Sequence, residues 1–241
     1  MPQGCTLIFV LVMTASENSH PETPEEETFS LSSGCPWLNK QGAKNPIVNP
    51  RNMMPDIPQT ASEGQTVELS RVRETSSIPK TGSEMKWEYP SPQQFYNALL
   101  RRNKTAEEDT MDMVVHVHNA VNEDSWKQVL EWEGMYEHQC KEPSLQRFVG
   151  KSEEPSLKSR LRKTLGLLNG EELFDRHDWF VDRCGEKTVR YIIDYYDTSG
   201  CPDVHDPTGF NVRMDTRPAL DSFQSVLDRI RKPLYDMWNR K

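Results

Sequence analysis

Two histidines stand two residues apart in MDMVVHVHNAVNEDSW (111–126), and the second, His118, runs into Asn119 and the stretch Asn122-Glu123-Asp124. The segment reads as a last extended step before a helix, which places His116 and His118 on one face. A pair so placed can chelate a metal such as zinc, although no third ligand follows nearby. The plainer role for His118 is a hydrogen bond to a free backbone group at the helix entrance. A third histidine, His177, sits in FDRHDW between Arg176 and Asp178, with Trp179 next. It is either a proton donor or ligand tuned by the adjacent charges, or a partly buried imidazole hydrogen-bonded to Asp178.

Two further groupings carry chemistry. Cys35-Pro36 is the dipeptide in which a thiolate can bind ferric haem while proline turns the chain away. The cluster Lys158, Arg160, Arg162 and Lys163 can grip carboxylates such as haem propionates, or form a solvated basic helix face. The five cysteines, at 5, 35, 140, 184 and 201, include no C-x-x-C pair. That spacing does not suit structural zinc, and an odd count does not complete a disulfide framework, so free thiols are the simpler expectation.

The chain has 241 residues and a formal charge of -8, which argues against nucleic acid and against a polybasic membrane patch as partners. Such a charge suits solubility or a basic protein partner. Hydrophobic content of 35% and a mean hydropathy of -0.78 imply that part of the chain stays outside any core. The apolar run TLIFVLVMTA (6–15) is too short to span a bilayer as a helix. No Lys or Arg precedes Lys40, so neither the basic start of a secretory signal nor the arginines of a matrix presequence is present.

These groups need elements to position them. Residues 16–85 are rich in Pro, Ser, Thr, Glu and Asn and read as a long, largely extended or disordered arm, giving residues 1–85 as arm and 86–241 as the folded domain. Ser91-Pro92 caps a helix over 89–102 with Phe95, Ala98 and Leu99 on its apolar stripe. A second helix is predicted over 119–138 and a short basic one over 154–166, closed by Gly166. HDWFVDRC and TVRYIIDYYD form a hairpin, GFNVRMDTRP a third strand, and an amphipathic helix starting near Pro218 ends the chain. The class is α+β, helices packed with a small antiparallel β-sheet.

Taken in order, CP, NPRNMMP, RETSSIPK, WEYPSPQQFYNALLRR, VHNAVNEDSWKQVLEWE, PSLQRFVGK, FDRHDWFVDRCG, VRYIIDYYD and DTRPALDSFQSVLDR resemble the mitochondrial holocytochrome c synthases, or cytochrome c haem lyases. The resemblance is collinear from residue 34 onward. It implies an enzyme that binds haem b in its ferrous form as substrate and docks apocytochrome c or a membrane-anchored relative. It would then join the haem vinyl groups to the thiols of that partner's C-x-x-C-H segment. By the same resemblance His118, the residue before Asn119, is the axial haem-iron ligand, and such an imidazole needs a slot beside it wide enough for a tetrapyrrole. His177 takes part in haem binding or catalysis, Trp87 offers an aromatic face to haem, and Asn119 and Glu123 orient His118. Arg183 meets a propionate or supports the fold, and Cys35 with Pro36 offers a second haem contact. The family lies on the intermembrane-space face of the mitochondrial inner membrane, in peripheral contact with it. Two departures stand out: RRNKTAEEDT lacks the tryptophan-rich stretch found in many members, and QCKEPSL replaces a Cys-Pro-Cys-like element. A non-catalytic haem carrier or sensor using His118 and Cys35 is the alternative.

Overall fold

The computed structural model describes residues 48–49, 54–104, 106–151, 154–168, 170–198 and 211–239. Cys35-Pro36, Cys201-Pro202 and the apolar run at 6–15 lie outside the described residues. Short antiparallel pairings join β1 (Val48–Asn49) to β2 (Met54–Pro55) and β3 (Thr75–Pro79) to β4 (Lys86–Glu88). Then come α1 (Pro92–Leu100), α2 (Met111–Glu133), β5 (Ser144–Gly150), α3 (Leu157–Thr164), β6 (Glu172–Arg183), β7 (Lys187–Asp197), β8 (Val212–Pro218) and α4 (Phe223–Asn239). The expected α+β class is observed: β5 to β8 make one antiparallel sheet in the order β5-β6-β7-β8. No helix among the described residues is long and apolar enough to cross a membrane.

Helix α1 begins as its sequence requires. Ser91 accepts the Gln94 backbone N–H and Gln94 accepts the Ser91 N–H, a reciprocal cap. Packing starts earlier than Trp87. Residues 57–60 lie against α1 because Gln94 and Asn97 donate to the carbonyls of Ile57, Pro58 and Thr60. Leu69 and Ile78 are buried. A stretch held by side-chain-to-backbone hydrogen bonds carries little apolar periodicity, which is why its composition reads as a loose arm.

Helix α2 starts at Met111, ahead of the predicted position, and takes in the H-x-H pair. Successive helical residues turn by about 100°, so His116 and His118 diverge by about 200° and His116 is exposed. The shared face expected of an extended segment is absent. One face of α2 places Met111, Val114 and Val115 against Leu69, Phe95 and Leu99. A neighbouring face places Val117, Val121, Trp126 and Val129 against Trp179, Val181, Tyr191 and Ile193 of the sheet. This helix joins the two cores.

Strand alternation gives the sheet two chemistries. Its far face carries a buried charged lattice. Asp178 accepts from Arg176 at 3.0 Å and from Arg190 at 2.8 Å, and Asp194 pairs with Arg217 at 2.5 Å and accepts from Ser156. Strand β5 was not foreseen; a register shift between Leu145 and Arg147 breaks its alternation, leaving the sequence signal weak. Pro218 closes β8 opposite Tyr191 rather than opening the last helix. Ser222 is the cap of α4, its hydroxyl accepting the Ser225 N–H.

The thiol expectation is corrected too. Cys140 and Cys184 form a disulfide across 44 residues, tying the turn after α2 to the β6–β7 tip. Nothing in the spacing of five cysteines marks which two meet; the fold decides it. Replacing both, as Cys140→Ser with Cys184→Ser, is expected to cost about 2–4 kcal/mol of stability through the released loop. Urea melts of the double variant measure this; an unchanged midpoint contradicts a structural role for the bond.

Candidate functional site

His118 stands at the seam between the two cores, four residues ahead of Asn122 on α2. Its ring is 2% exposed. Phe95 and Tyr89 meet it edge-on, with centroids 5.4 and 6.1 Å away. Nδ1 lies 3.2 Å from Asn119 Oδ1, an atom that only accepts, and Nε2 lies 3.3 Å from Asn122 Nδ2, an atom that only donates. The partners therefore fix the tautomer: Nδ1 carries the proton and the Nε2 lone pair accepts. That lone pair is the one a metal would take, and here an amide covers it. The open slot expected beside the ring is not what the structure shows. The imidazole is enclosed, and a planar ligand reaches it only when the Asn122 amide and the aromatic neighbours give way.

A network behind the ring holds this arrangement. Asn119 Nδ2 donates to Glu74 at 2.7 Å. Glu123 does not hydrogen-bond His118, contrary to its expected orienting part. It receives the backbone N–H and the hydroxyl of Ser77 and the hydroxyl of Tyr89, so it acts on His118 through the Tyr89 ring. Burial pushes the His118 pKa down from 6.5 to about 4; the Asn119 bond opposes this, a charge on His177 adds to it, and Asp175 opposes it. The ring is therefore neutral at pH 7, as a metal ligand must be.

His177 faces the same interface from β6. Neighbouring strand residues point to opposite faces, so His177 does not bond Asp178, which belongs to the charged far side. Asp175, two residues back, shares its face, with Oδ2 2.9 Å from His177 Nε2. The two atoms are in ion-pair range but not aligned for a hydrogen bond, and both ring nitrogens are buried without a hydrogen-bond partner among the described residues. Distance and burial make this a close packing contact, not a directed bond. Tyr195 packs edge-on at 5.0 Å, and its hydroxyl meets Ser125 of α2 at 3.0 Å.

Other sequence-identified residues lie apart. Trp87 is a core residue, packed on Phe148, with its indole N–H on the Leu145 carbonyl. Arg183 grips Glu133 through two bonds of 2.7 and 2.9 Å and stacks 3.6 Å over Tyr136. Burial alone lowers its pKa, but Glu133 outweighs that and raises it. At about 1.5 Å per residue it sits about 22 Å along α2 from His118, which makes it a support of the fold. Asp175 and Tyr89 were not named from sequence, and Asn122 and Phe95 were named there without a part in the site. Starting the helix at Met111 would have exposed Asn122 at four residues from His118, and the strand period would have exposed Asp175. Among the described residues no group of three metal-ligating side chains converges.

The His118 pKa gives a test. Unfolded, the ring takes a proton near pH 6.5; folded, it refuses one until about pH 4. Stability should therefore fall as pH drops from 6.5 to about 4, by about 3 kcal/mol for this group. Urea melts across that range should show a flatter slope in His118→Gln; an equal slope assigns the loss to other groups.

The profile of the family described as "Cytochrome c/c1 heme lyase" matches residues 2–233. A holocytochrome c-type synthase of Homo sapiens is 38% identical over 247 residues, covering 95% of this chain and 89% of its own. That of Gallus gallus is 41% identical, covering 90% of this chain and 78% of its own. The holocytochrome-c synthase of Saccharomyces cerevisiae is 37% identical, covering 83% of this chain and 86% of its own. No solved structure matches. With a family match over nearly its full length and relatives of this identity, the chain belongs to the cytochrome c/c1 haem lyase family.

Proposed function

We infer that this chain is a holocytochrome c-type synthase: it binds haem and joins the haem vinyl groups to the C-x-x-C-H cysteines of apocytochrome c. The observation that carries the reading is the pair of buried imidazoles, His118 from α2 and His177 from β6, set in one interface of a chain of this family. His118 Nε2 is the ligand to the iron of ferrous haem b. Its lone pair is free of protons at working pH, and Asn119 holds the opposite nitrogen as a donor, which keeps the ring oriented. The partner's own histidine takes the other face of the haem and sets its cysteines against the vinyls.

The reaction is an addition. A sulfur–carbon bond forms at the vinyl carbon next to the porphyrin ring, the thiol proton ends on the terminal carbon, and nothing leaves. Rate comes from holding thiol and vinyl together. His177, buried beside Asp175, is the residue suited to moving the proton. The thiols of the partner must be reduced, since a disulfide has no S–H to add.

Haem enters by displacing the Asn122 amide and opening the cover of Tyr89 and Phe95. The segment 56–80 is attached to α1 and α2 by side-chain hydrogen bonds and by the buried side chains of Leu69 and Ile78, so its release breaks both kinds of contact. Cys35 and Pro36, upstream of that segment, serve haem capture. The Cys140–Cys184 disulfide supports a place outside reducing compartments, in keeping with the intermembrane-space face of the mitochondrial inner membrane and peripheral contact with that membrane.

Co-expression with apocytochrome c in a host lacking other maturation factors tests this. Haem should stay on the cytochrome through denaturing electrophoresis. His118→Ala should lose at least about tenfold of that product, the weight of one lost iron ligand, while His116→Ala keeps most of it. Equal behaviour of the two variants contradicts the ligand assignment. Haem retained by this chain alone, with none transferred, makes it a carrier.

A further inference from the structure

At the end of α2 away from His118, a cavity of about 480 Å³ opens between the turn after that helix, the β6–β7 tip and α4. Its walls are firmly built. The Cys140–Cys184 bond joins two sides. Arg183 is fixed by Glu133, and Tyr235 donates to the Gly134 carbonyl at 2.9 Å. The one carboxylate facing in, Asp228, already receives Tyr136 and Gln224. What remains is cationic. Lys187 and Arg231 are exposed, line the cavity with His138, and form no ion pair among the described residues. In a chain of charge -8 that concentration stands out.

The second observation is α4 itself. Gln224, Asp228, Arg231 and Tyr235 line the cavity, and about a third of a turn round the helix runs an apolar row that no described residue covers. Phe223 is 77% exposed, Ile230 63%, Leu234 62%, Met237 70% and Trp238 85%. Aromatic and aliphatic residues on one side with cations beside them are the pattern of a helix lying in a bilayer surface. A soluble anion would leave the row uncovered, and a basic protein would be repelled by the cations.

We propose that this cavity receives the phosphate of an anionic phospholipid, with the apolar row of α4 resting in the bilayer beside it. This deepens the peripheral membrane contact read above by giving it a place and a lipid class. It also turns the end of α2 that carries Glu133, rather than the end that carries His118, toward the membrane.

The test is co-sedimentation of the full chain with phosphatidylcholine vesicles, with and without phosphatidylglycerol. Binding should need the anionic lipid. Lys187→Gln with Arg231→Gln, both exposed positions, should weaken it about 30-fold, the effect of two lost cations near a membrane. Leu234→Ser with Trp238→Ser should abolish it. Three results overturn the proposal: equal binding by wild type and the Lys187/Arg231 variant, equal binding to neutral vesicles, or thermal stabilisation by soluble glycerol phosphate with no vesicle binding. Haem attachment measured in detergent should be unchanged in both variants. If wild type attaches no haem there, the synthase reading fails while the vesicle result stands.

Discussion

The packing of α2 into two cores at once is the constraint on which the rest of the structure depends. Its faces turn toward α1 and toward the sheet, and the seam between them is where a polar residue can be fully buried yet keep partners. His118 occupies that seam. Buried side chains such as Val129, Trp179 and Ile193 each contribute about 1.5–3 kcal/mol, far more than the hydrogen bonds of one imidazole. The apolar contacts therefore decide where α2 lies, and the ring's environment follows. Neutrality of His118 is a by-product of that burial, and it is the state in which imidazole can bind iron.

The sheet completes the arrangement by separating two kinds of chemistry. Toward α2 it shows mainly aromatic and aliphatic residues, with Asp175, His177, Thr216 and, near the hairpin tip, Arg183 among them. On the other face, Arg176, Arg190 and Arg217 are paired with Asp178, Asp194, Asp215 and Asp221. Breaking such a buried pair on one side leaves an uncompensated charge and costs several kcal/mol, so the lattice fixes strand positions without offering a free group for catalysis. The pairs leave His177 as the ionisable base on the α2 side, next to a carboxylate that it only partly engages.

Much of this was legible in the sequence, and the exceptions have physical reasons. The cap at Ser91, the β6–β7 hairpin and the stop at Gly166, which takes a positive φ of 66°, follow from local rules. The family resemblance picked out His118 and His177 together. Local reading failed where two interpretations fit one short stretch. VVHVH is β-branched enough to pass for a strand, and tertiary packing made it helix. Asp178 is adjacent to His177 in sequence but lies across the sheet from it. Residues 57–60 pack by amide-to-carbonyl bonds that leave no periodic trace, and the Cys140–Cys184 pairing depends on how α2 and the hairpin meet. Cys35 and Pro36 rest on the dipeptide and on the resemblance, and lie outside the described residues.

The central claim is that Nε2 of His118 holds the haem iron. Chemical rescue addresses it most directly. In His118→Gly, which leaves a void of the ring's shape, the absorption spectrum of bound haem should lose its histidine-ligated form, and free imidazole should restore it together with thioether formation. A variant that keeps the wild-type spectrum without imidazole, or that imidazole leaves unchanged, contradicts the account.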